Sequence, residues 1–168
     1  MLASLRQLYS DRIQWLKDLF AANPSQQVPE LRYLSEDRWR DLVQFERHDV
    51  DPDRLMSSAR FSAQIDFAMQ SLMPALQKFL KQNQGRFPTE LSQLAPYLAA
   101  PDDTSVLQDW TILPMTSLSP QARIDGEWAI TQKAPVNAAL DGRFVVGANG
   151  GHIENDPATA WGSSNNLR

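Results

Sequence analysis

The sequence predicts an α+β fold in which N-terminal helices pack on a small three-stranded antiparallel sheet. Through the first half of the chain, apolar residues recur at spacings of three and four, the pattern of an amphipathic helix. In the last third, short segments of β-favouring residues alternate with turn signals. Helices followed by strands are typical of an α+β domain. The predicted organisation is a helix over 1–22, a linker and short helix over 23–50, an α+β core over 51–148 and a loose tail over 149–168.

A long central helix is predicted to begin at Asp51. Asp51 is a capping residue, and Pro52 fits the first helical position, where no backbone hydrogen bond is lost. Pro74 lies inside the apolar stripe and removes one backbone donor, so we expect a kink there, or two helices that meet near Met73. Gly85 ends the helix in a left-handed conformation. The stripe itself is made of Leu55, Ala59, Ser62, Ile65, Met69, Leu72, Met73, Leu76, Phe79 and Leu80.

A sharp turn and a second, short helix are predicted after Gly85. Pro88 favours an extended backbone at Phe87, and Thr89 is a suitable N-cap for a helix over 90–98. Phe87 is expected to pack on the apolar face of that helix. A long helix, an abrupt reversal and a short helix therefore form the predicted scaffold.

This junction resembles that of a known family. The residues Phe79–Leu80, Asn83–Thr89 and Leu91 are similar to the helix-to-head junction of type IV pilins and type II secretion pseudopilins. Those proteins carry a helix, then a glycine, an aromatic residue and a proline, then a leucine-rich turn. The resemblance implies an extracytoplasmic bacterial assembly. The long apolar N-terminal segment of the family is not in this sequence, so a missing N-terminal membrane anchor is part of the expectation.

A second likeness concerns uncharacterised bacterial domains that combine the same junction with two later segments. In this sequence those segments are Ile130–Val136 and Arg143–Gly147. The likeness implies a shared organisation and carries no activity.

The N-terminal segment predicts an amphipathic helix with two possible roles. Its apolar side is expected to contact either a partner protein or another copy of the chain, through Leu5, Tyr9, Leu16 and Phe20. The alternative is that this helix packs into the core of the domain. About three heptads are marginal for a free coiled coil, so the sequence leaves both roles open.

Three strands are predicted at 110–113, 127–133 and 143–146. Trp110 and Trp128 lie in two of them and are expected to pair or stack across the sheet. A small enzyme or carbohydrate-binding module that uses Trp110 or Trp128 together with the Asp102–Asp103 pair is therefore one alternative function. A free sheet edge is a second candidate surface for a protein partner.

Composition and motifs exclude several kinds of function. The net charge of −4 at pH 7 gives no basic surface for nucleic acid, and the lack of cysteine removes thiolate chemistry. No apolar run is long enough to span a bilayer.

The candidate metal and phosphate motifs are incomplete. The acids of 49–53 resemble the start of a calcium loop, but Arg54 and Arg60 stand where the loop needs glycine and glutamate. The histidines His48 and His152 are far apart in the chain, and 147–151 lacks the lysine of a phosphate loop. We therefore predict no catalytic, cofactor-binding or metal-binding residues.

The leading expectation is a non-enzymatic structural or protein-interaction domain, with a protein partner or self-association through the first helix or the sheet edge. A cytoplasmic regulatory domain is the remaining alternative.

Overall fold

The computed structural model describes residues 2–45 and 51–161, and these form an α+β domain. The α-helices are α1 (Leu2–Ala22), α2 (Glu36–Phe45), α3 (Pro52–Phe67), α4 (Met73–Gln82), α5 (Asp103–Val106) and α6 (Pro157–Ala160). The strands are β1 (Trp110–Pro114), β2 (Trp128–Gln132), β3 (Arg143–Gly147) and β4 (Gly150–Glu154). Residues 46–50, which end the segment predicted as a linker and short helix and include His48, lie outside the described residues.

The long central helix is confirmed, and a π-helical turn joins its two halves. The Asp51 carboxylate caps α3 by accepting a hydrogen bond from the Asp53 amide at 3.1 Å. Between α3 and α4, the segment Ala68–Leu72 is π-helical, and the Met73 amide donates to the Ala68 carbonyl five residues earlier. This wider turn lets the chain accept Pro74 at the second position of α4 without ending the helix. Two helical segments therefore do meet at Met73, and they are continuous.

The turn after α4 differs in detail from the prediction. Gln84 and Gly85 both have positive φ, at 57° and 77°, and the Gly85 amide donates to the Leu80 carbonyl at 2.8 Å. The predicted cap at Thr89 is wrong, because Glu90 is the N-cap and Gln93 Oε1 accepts from its amide at 3.2 Å. The short helix over Leu91–Tyr97 is a 3₁₀-helix.

The sheet has four strands where the sequence predicted three. The order is β1-β2-β3-β4, all antiparallel, with Ile112 opposite Ile130 and Ile130 opposite Val146. The predicted pairing of the second and third strands is confirmed.

The fourth strand, β4, comes from the segment that was predicted to be a loose tail. After a two-residue connection the chain returns along β3, so Gly150–Glu154 gains a partner for its backbone hydrogen bonds. Trp161 is ordered as well, because its indole donates to the Asp141 carbonyl at 2.9 Å. Residues 162–168 of the predicted tail lie outside the described part of the chain.

The main core lies between the long helix and one face of the sheet. Phe67, Leu72 and Leu76 of the helix are buried there with Ile130 and other side chains of the sheet. A second core packs the C-terminal half of α1 on α2 and α3. One side of the C-terminal half of α1 is therefore part of the core of the domain.

A buried carboxylate ties the segment before α2, the π-helical turn and α5 together. Asp103 Oδ2 accepts from the hydroxyls of Tyr33 and Ser71 and from the Ala100 amide, and Oδ1 accepts from the Arg32 guanidinium. Burial of Asp103 raises the pKa of its carboxyl, but the bonds from Ser71, Tyr33 and Arg32 outweigh this and hold the pKa below its ordinary value. The position of the π-helical turn is thus fixed by a polar contact of Ser71.

Candidate functional site

The four predicted contact residues of α1 fall into two groups. Leu5 is 44% exposed and Tyr9 is half-buried, whereas Leu16 and Phe20 are fully or almost fully buried. The prediction of Leu16 and Phe20 as contact residues is wrong, because both pack in the second core, where the Phe20 ring meets Trp39 edge-on at 6.3 Å.

A second apolar row on α1, which was not predicted, faces solvent. Leu8 is 40% exposed and Trp15 is 42% exposed, close to the value for Leu5. We call Leu5, Leu8 and Trp15 the outer row. Positions 5, 8, 12, 15 and 19 alternate spacings of three and four, which is the seam of a coiled coil. That spacing was present in the sequence and is the signal that identifies the row.

A groove beside the outer row extends this surface. It lies between α1 and α2 and has a volume of about 770 Å³. This is within the range of roughly 300–1,000 Å³ that is usual for binding clefts. Leu5, Tyr9 and Ile13 line it on one side, and Glu36 and Arg40 on the other. The exposed half of α1 thus offers an apolar row and an adjoining groove with charged residues on its far wall.

The two tryptophans of the sheet do not pair. Trp110 lies opposite Gln132 and Trp128 lies opposite Pro114, so they sit at opposite ends of the β1–β2 pair. Trp110 is buried in the main core, where its ring is 5.6 Å from Phe67. The predicted stacking is wrong because the register places the two residues four positions apart along the ladder.

Trp128 instead lines a cleft beside the turn that follows α4. It is 43% exposed, and Phe87, Pro88 and Ile112 form other parts of a cleft of about 500 Å³. Two features singled out in the sequence, the turn and one tryptophan, therefore meet in one concavity.

Trp110 and Asp103 lie apart from the cleft of Trp128. Trp110 is in the core, and Asp103 is buried in the network around Ser71 and Arg32. Neither residue lines the cleft of Trp128.

The β1 edge of the sheet offers little to a strand from another chain. The Lys133 amide donates to the Asp109 carbonyl and the Met115 amide donates to the Glu127 carbonyl, each at 2.8 Å. By the alternation of an antiparallel ladder, Ile112 is the residue whose backbone groups point outward in the middle of β1. Pro114 has no amide hydrogen, which limits strand addition further.

Among residues 2–45 and 51–161, the structure brings together no group of three histidine, cysteine or acidic side chains that would hold a metal ion. His152 lies in β4, with its Nε2 4.0 Å from the Glu154 carboxylate. No helix in this part of the chain has the length and apolar character required to cross a membrane.

Comparison with protein-family models, curated proteins and solved structures gives no match for this chain.

Proposed function

We propose that this chain is a non-enzymatic protein-interaction domain that associates with a second copy of itself through the outer row of α1. The observation that carries the proposal is the concentration of exposed apolar side chains on one helix. Of the seven large hydrophobic side chains that are exposed among the described residues, three are Leu5, Leu8 and Trp15. Scattered exposed hydrophobics are normal on a soluble domain, but a row at coiled-coil spacing is typical of a helix-binding surface.

The outer row complements itself in an antiparallel pair of helices. With the two-fold axis level with residue 10, Leu5 of one copy lies opposite Trp15 of the other, and Leu8 lies opposite Arg12. Two apolar layers form at the ends, and the aliphatic stem of Arg12 covers Leu8 in the middle. Because α1 is buried in its own domain through Leu16 and Phe20 near its C-terminus, the antiparallel direction keeps the two domains apart.

The size of this surface predicts a weak, reversible dimer. At exposures of 40–44%, the outer row presents roughly 250 Å² per copy, if a fully exposed side chain of this kind has about 200 Å². Two copies bury roughly 500 Å² of apolar area, and with the usual polar share the interface totals roughly 900 Å². This is below the 1,200 Å² or so of stable complexes, so we expect a Kd between about 1 μM and about 1 mM.

The proposal extends to a pilin-like assembly as the setting. It is supported by the long helix that ends at Gln82, by the turn that follows, and by an antiparallel sheet drawn from the rest of the chain. In this setting α1 and α2 are additional elements before the junction, and α1 supplies the contact between copies.

Sedimentation velocity between about 10 μM and about 1 mM tests the proposal. The wild-type sedimentation coefficient should rise with concentration, whereas Trp15→Ser should sediment as a monomer throughout, because it removes both end layers. Trp128→Ser is the matched control, since Trp128 is the same residue type at 43% exposure against 42% for Trp15. It should associate like the wild type.

A second variant separates loss of association from loss of folding. Leu5→Ser removes the side chain that lies opposite Trp15 in both end layers, so it should also sediment as a monomer. Its circular dichroism spectrum should match that of the wild type, because Leu5 is outside the core. A wild-type chain that remains monomeric at about 1 mM would refute the proposal. So would equal loss of association in Trp15→Ser and Trp128→Ser.

The cleft of Trp128 favours a second candidate function, carbohydrate binding. An exposed indole in a concave site of about 500 Å³ suits stacking on a sugar ring. Titration with cellotriose and chitotriose should quench the tryptophan fluorescence of the wild type. The fluorescence of Trp128→Phe, which comes from the other tryptophans, should not change. Wild-type fluorescence that neither sugar alters would exclude binding of these carbohydrates at the cleft.

A further inference from the structure

The second edge of the sheet, formed by β4, is open to solvent. Among residues 2–45 and 51–161, the strands β1, β2 and β3 supply side chains to the cores, whereas β4 supplies none. Ile153 of β4 is 43% exposed, and Gly151 is exposed as well. Because glycine has no side chain, it is the backbone of Gly151 that meets the solvent. This edge is therefore accessible to another chain.

The pairing of β3 with β4 fixes which backbone groups of β4 point outward. Phe144 of β3 turns its amide and its carbonyl towards β2, where both bond to side chains. Its pair with Ile153 is therefore one without backbone hydrogen bonds. Because the two kinds of pair alternate in an antiparallel ladder, the same holds for Val146 and Gly151, two positions away. The amides and carbonyls of Gly151 and Ile153 thus point away from β3.

These four backbone groups define the geometry of a partner. Within the described part of the chain, the amides and carbonyls of Gly151 and Ile153 form no hydrogen bond to a loop, a cap or a side chain. Alternate residues of a second strand have the same spacing, and each directly opposite residue can exchange two hydrogen bonds with β4. An extended peptide segment therefore satisfies all four groups at once.

Two side-chain preferences follow from the outward face of β4. A Cβ atom on Gly151 would lie 2.7 Å from Phe144 Cζ, so the Phe144 ring borders the space beside this glycine. An aromatic residue opposite Gly151 can cover the exposed glycine backbone and pack beside that ring. A β-branched residue is suited to the position opposite Ile153, because such residues pack well in cross-strand pairs.

The charge at the end of β4 favours a basic partner. Glu154 is the last residue of the strand and Asp156 follows it closely, whereas β4 has no lysine or arginine. In the part of the chain that the structure describes, the ion-pair contact of Glu154 is with His152 at 4.0 Å. A lysine opposite Glu154 therefore adds a favourable cross-strand pair. A second copy of β4 carries no basic residue and does not supply this match.

We propose that β4 binds an extended, basic segment of a partner protein, which adds to the sheet as an antiparallel strand. The segment has a basic, a β-branched, a polar and an aromatic residue in this order, opposite Glu154, Ile153, His152 and Gly151. The antiparallel direction continues that of the whole sheet and is slightly more stable per residue than the parallel one. The site is separate from the outer row of α1, so it stands or falls independently of self-association.

A synthetic peptide with the sequence Gly-Ser-Lys-Val-Thr-Phe-Thr-Gly, blocked at both ends, is the probe. In two-dimensional ¹H–¹⁵N spectra of the full chain, it should shift the amide resonances of Gly151 and Ile153 saturably below about 1 mM. At saturation, hydrogen exchange of these two amides should slow by about tenfold or more, because each gains an acceptor. The Trp15 indole resonance should not move, and Trp15→Ser should bind the peptide like the wild type.

Methylation of single peptide amides tests the strand geometry. The valine and the phenylalanine of the peptide lie opposite Ile153 and Gly151 and exchange both backbone hydrogen bonds with them. N-methylation of either residue should therefore abolish binding. The amide of the threonine between them points away from β4, so the peptide methylated there is the matched control and should still bind.

A pair of protein variants tests the charge contact. Glu154→Gln should bind the peptide about threefold more weakly, whereas Glu127→Gln should bind like the wild type, because this exposed glutamate precedes β2, two strands away. The proposal is overturned if the peptide leaves Gly151 and Ile153 unshifted, or if methylation at threonine abolishes binding as fully as methylation at valine. It is also overturned if Trp15→Ser dimerises with protection of the Gly151 amide, since a second copy then occupies the edge.

Discussion

Replacing Asp103 with asparagine should reveal how much the buried carboxylate contributes to stability. An amide can keep its oxygen where Oδ2 lies and accept from Tyr33, Ser71 and the Ala100 amide. Its NH₂ group then faces the Arg32 guanidinium, so that charge-assisted bond is lost and two sets of donors oppose each other.

The size of the effect can be worked out from these bonds. A hydrogen bond to a charged group contributes about 1.5–3 kcal/mol, but the Arg32 side chain is 38% exposed, so about 1 kcal/mol is appropriate for that pair. Weaker bonds to the neutral amide at the other three donors cost about 0.5 kcal/mol each, offset in part by cheaper burial of an amide. Asp103→Asn should therefore lower the free energy of unfolding by about 2 kcal/mol.

Urea denaturation followed by circular dichroism measures this loss directly. The midpoint should fall by about 1 M, and the melting temperature by about 4–8 °C. Asp102→Asn is the matched control, because Asp102 is the adjacent acid, is exposed and makes no side-chain capping bond. An Asp103→Asn midpoint equal to that of Asp102→Asn would refute the account of the network.

The same variant makes a prediction about pH. The folded-state pKa of Asp103 lies below its ordinary value of 3.8, so its carboxylate adds stability above that value and loses the contribution as the pH falls through the folded pKa. The difference in stability between the wild type and Asp103→Asn should therefore be largest near neutral pH. It should disappear in strong acid. A difference that stays constant down to that range would contradict the charge assignment.

Two further stability predictions follow from the buried positions. Burial raises the pKa of Glu30 above its ordinary 4.5, so the stability that its carboxyl contributes is present below that value and is lost as the pH rises through the folded pKa. At neutral pH Glu30→Gln should therefore raise the free energy of unfolding by roughly 1 kcal/mol, and below pH 4.5 it should leave it unchanged. An equal effect at both pH values would count against this reasoning. Gly142→Ala should lower the melting temperature, at a cost of about 1–3 kcal/mol, because its Cβ would lie 2.5 Å from the Glu154 carbonyl oxygen. An unchanged melting curve would contradict that contact.

Local periodicity in the sequence was sufficient for the long helices and for three of the strands, but α6 lies in the segment that was predicted to be a loose tail. The predicted span of α1 and the start of the central helix at Pro52 agree with the structure, because apolar spacing and capping are properties of neighbouring residues. Strand β4 was missed because its glycine-rich sequence has little β propensity of its own. It forms because the connection after β3 places it beside a strand that is already buried.

The roles of individual apolar residues depended on contacts between distant parts of the chain. Leu16 and Trp15 are adjacent apolar residues in one helix, and the direction of α1 relative to α2 and α3 decides which of them is buried. Trp110 and Trp128 likewise differ because one lies over Phe67 and the other beside the turn after α4.

Intermolecular paramagnetic broadening tests the antiparallel pairing of α1 most directly. The chain has no cysteine, so Ser4→Cys provides one attachment site for a nitroxide at an exposed position beside the outer row. Within one copy, residues 4 and 15 are about 16 Å apart along the helix, so a label would broaden Trp15 of its own chain. The nitroxide is therefore placed on unenriched chains, and the spectrum is recorded from ¹⁵N-enriched chains that carry no label.

In the antiparallel pair, residue 4 of the labelled copy lies level with residue 16 of the other. The indole resonance of Trp15 in the enriched chains should therefore broaden as labelled chains are added, and that of Trp128 should keep its intensity. Undiminished intensity at Trp15, or equal broadening at Trp15 and Trp128, would contradict the proposed association.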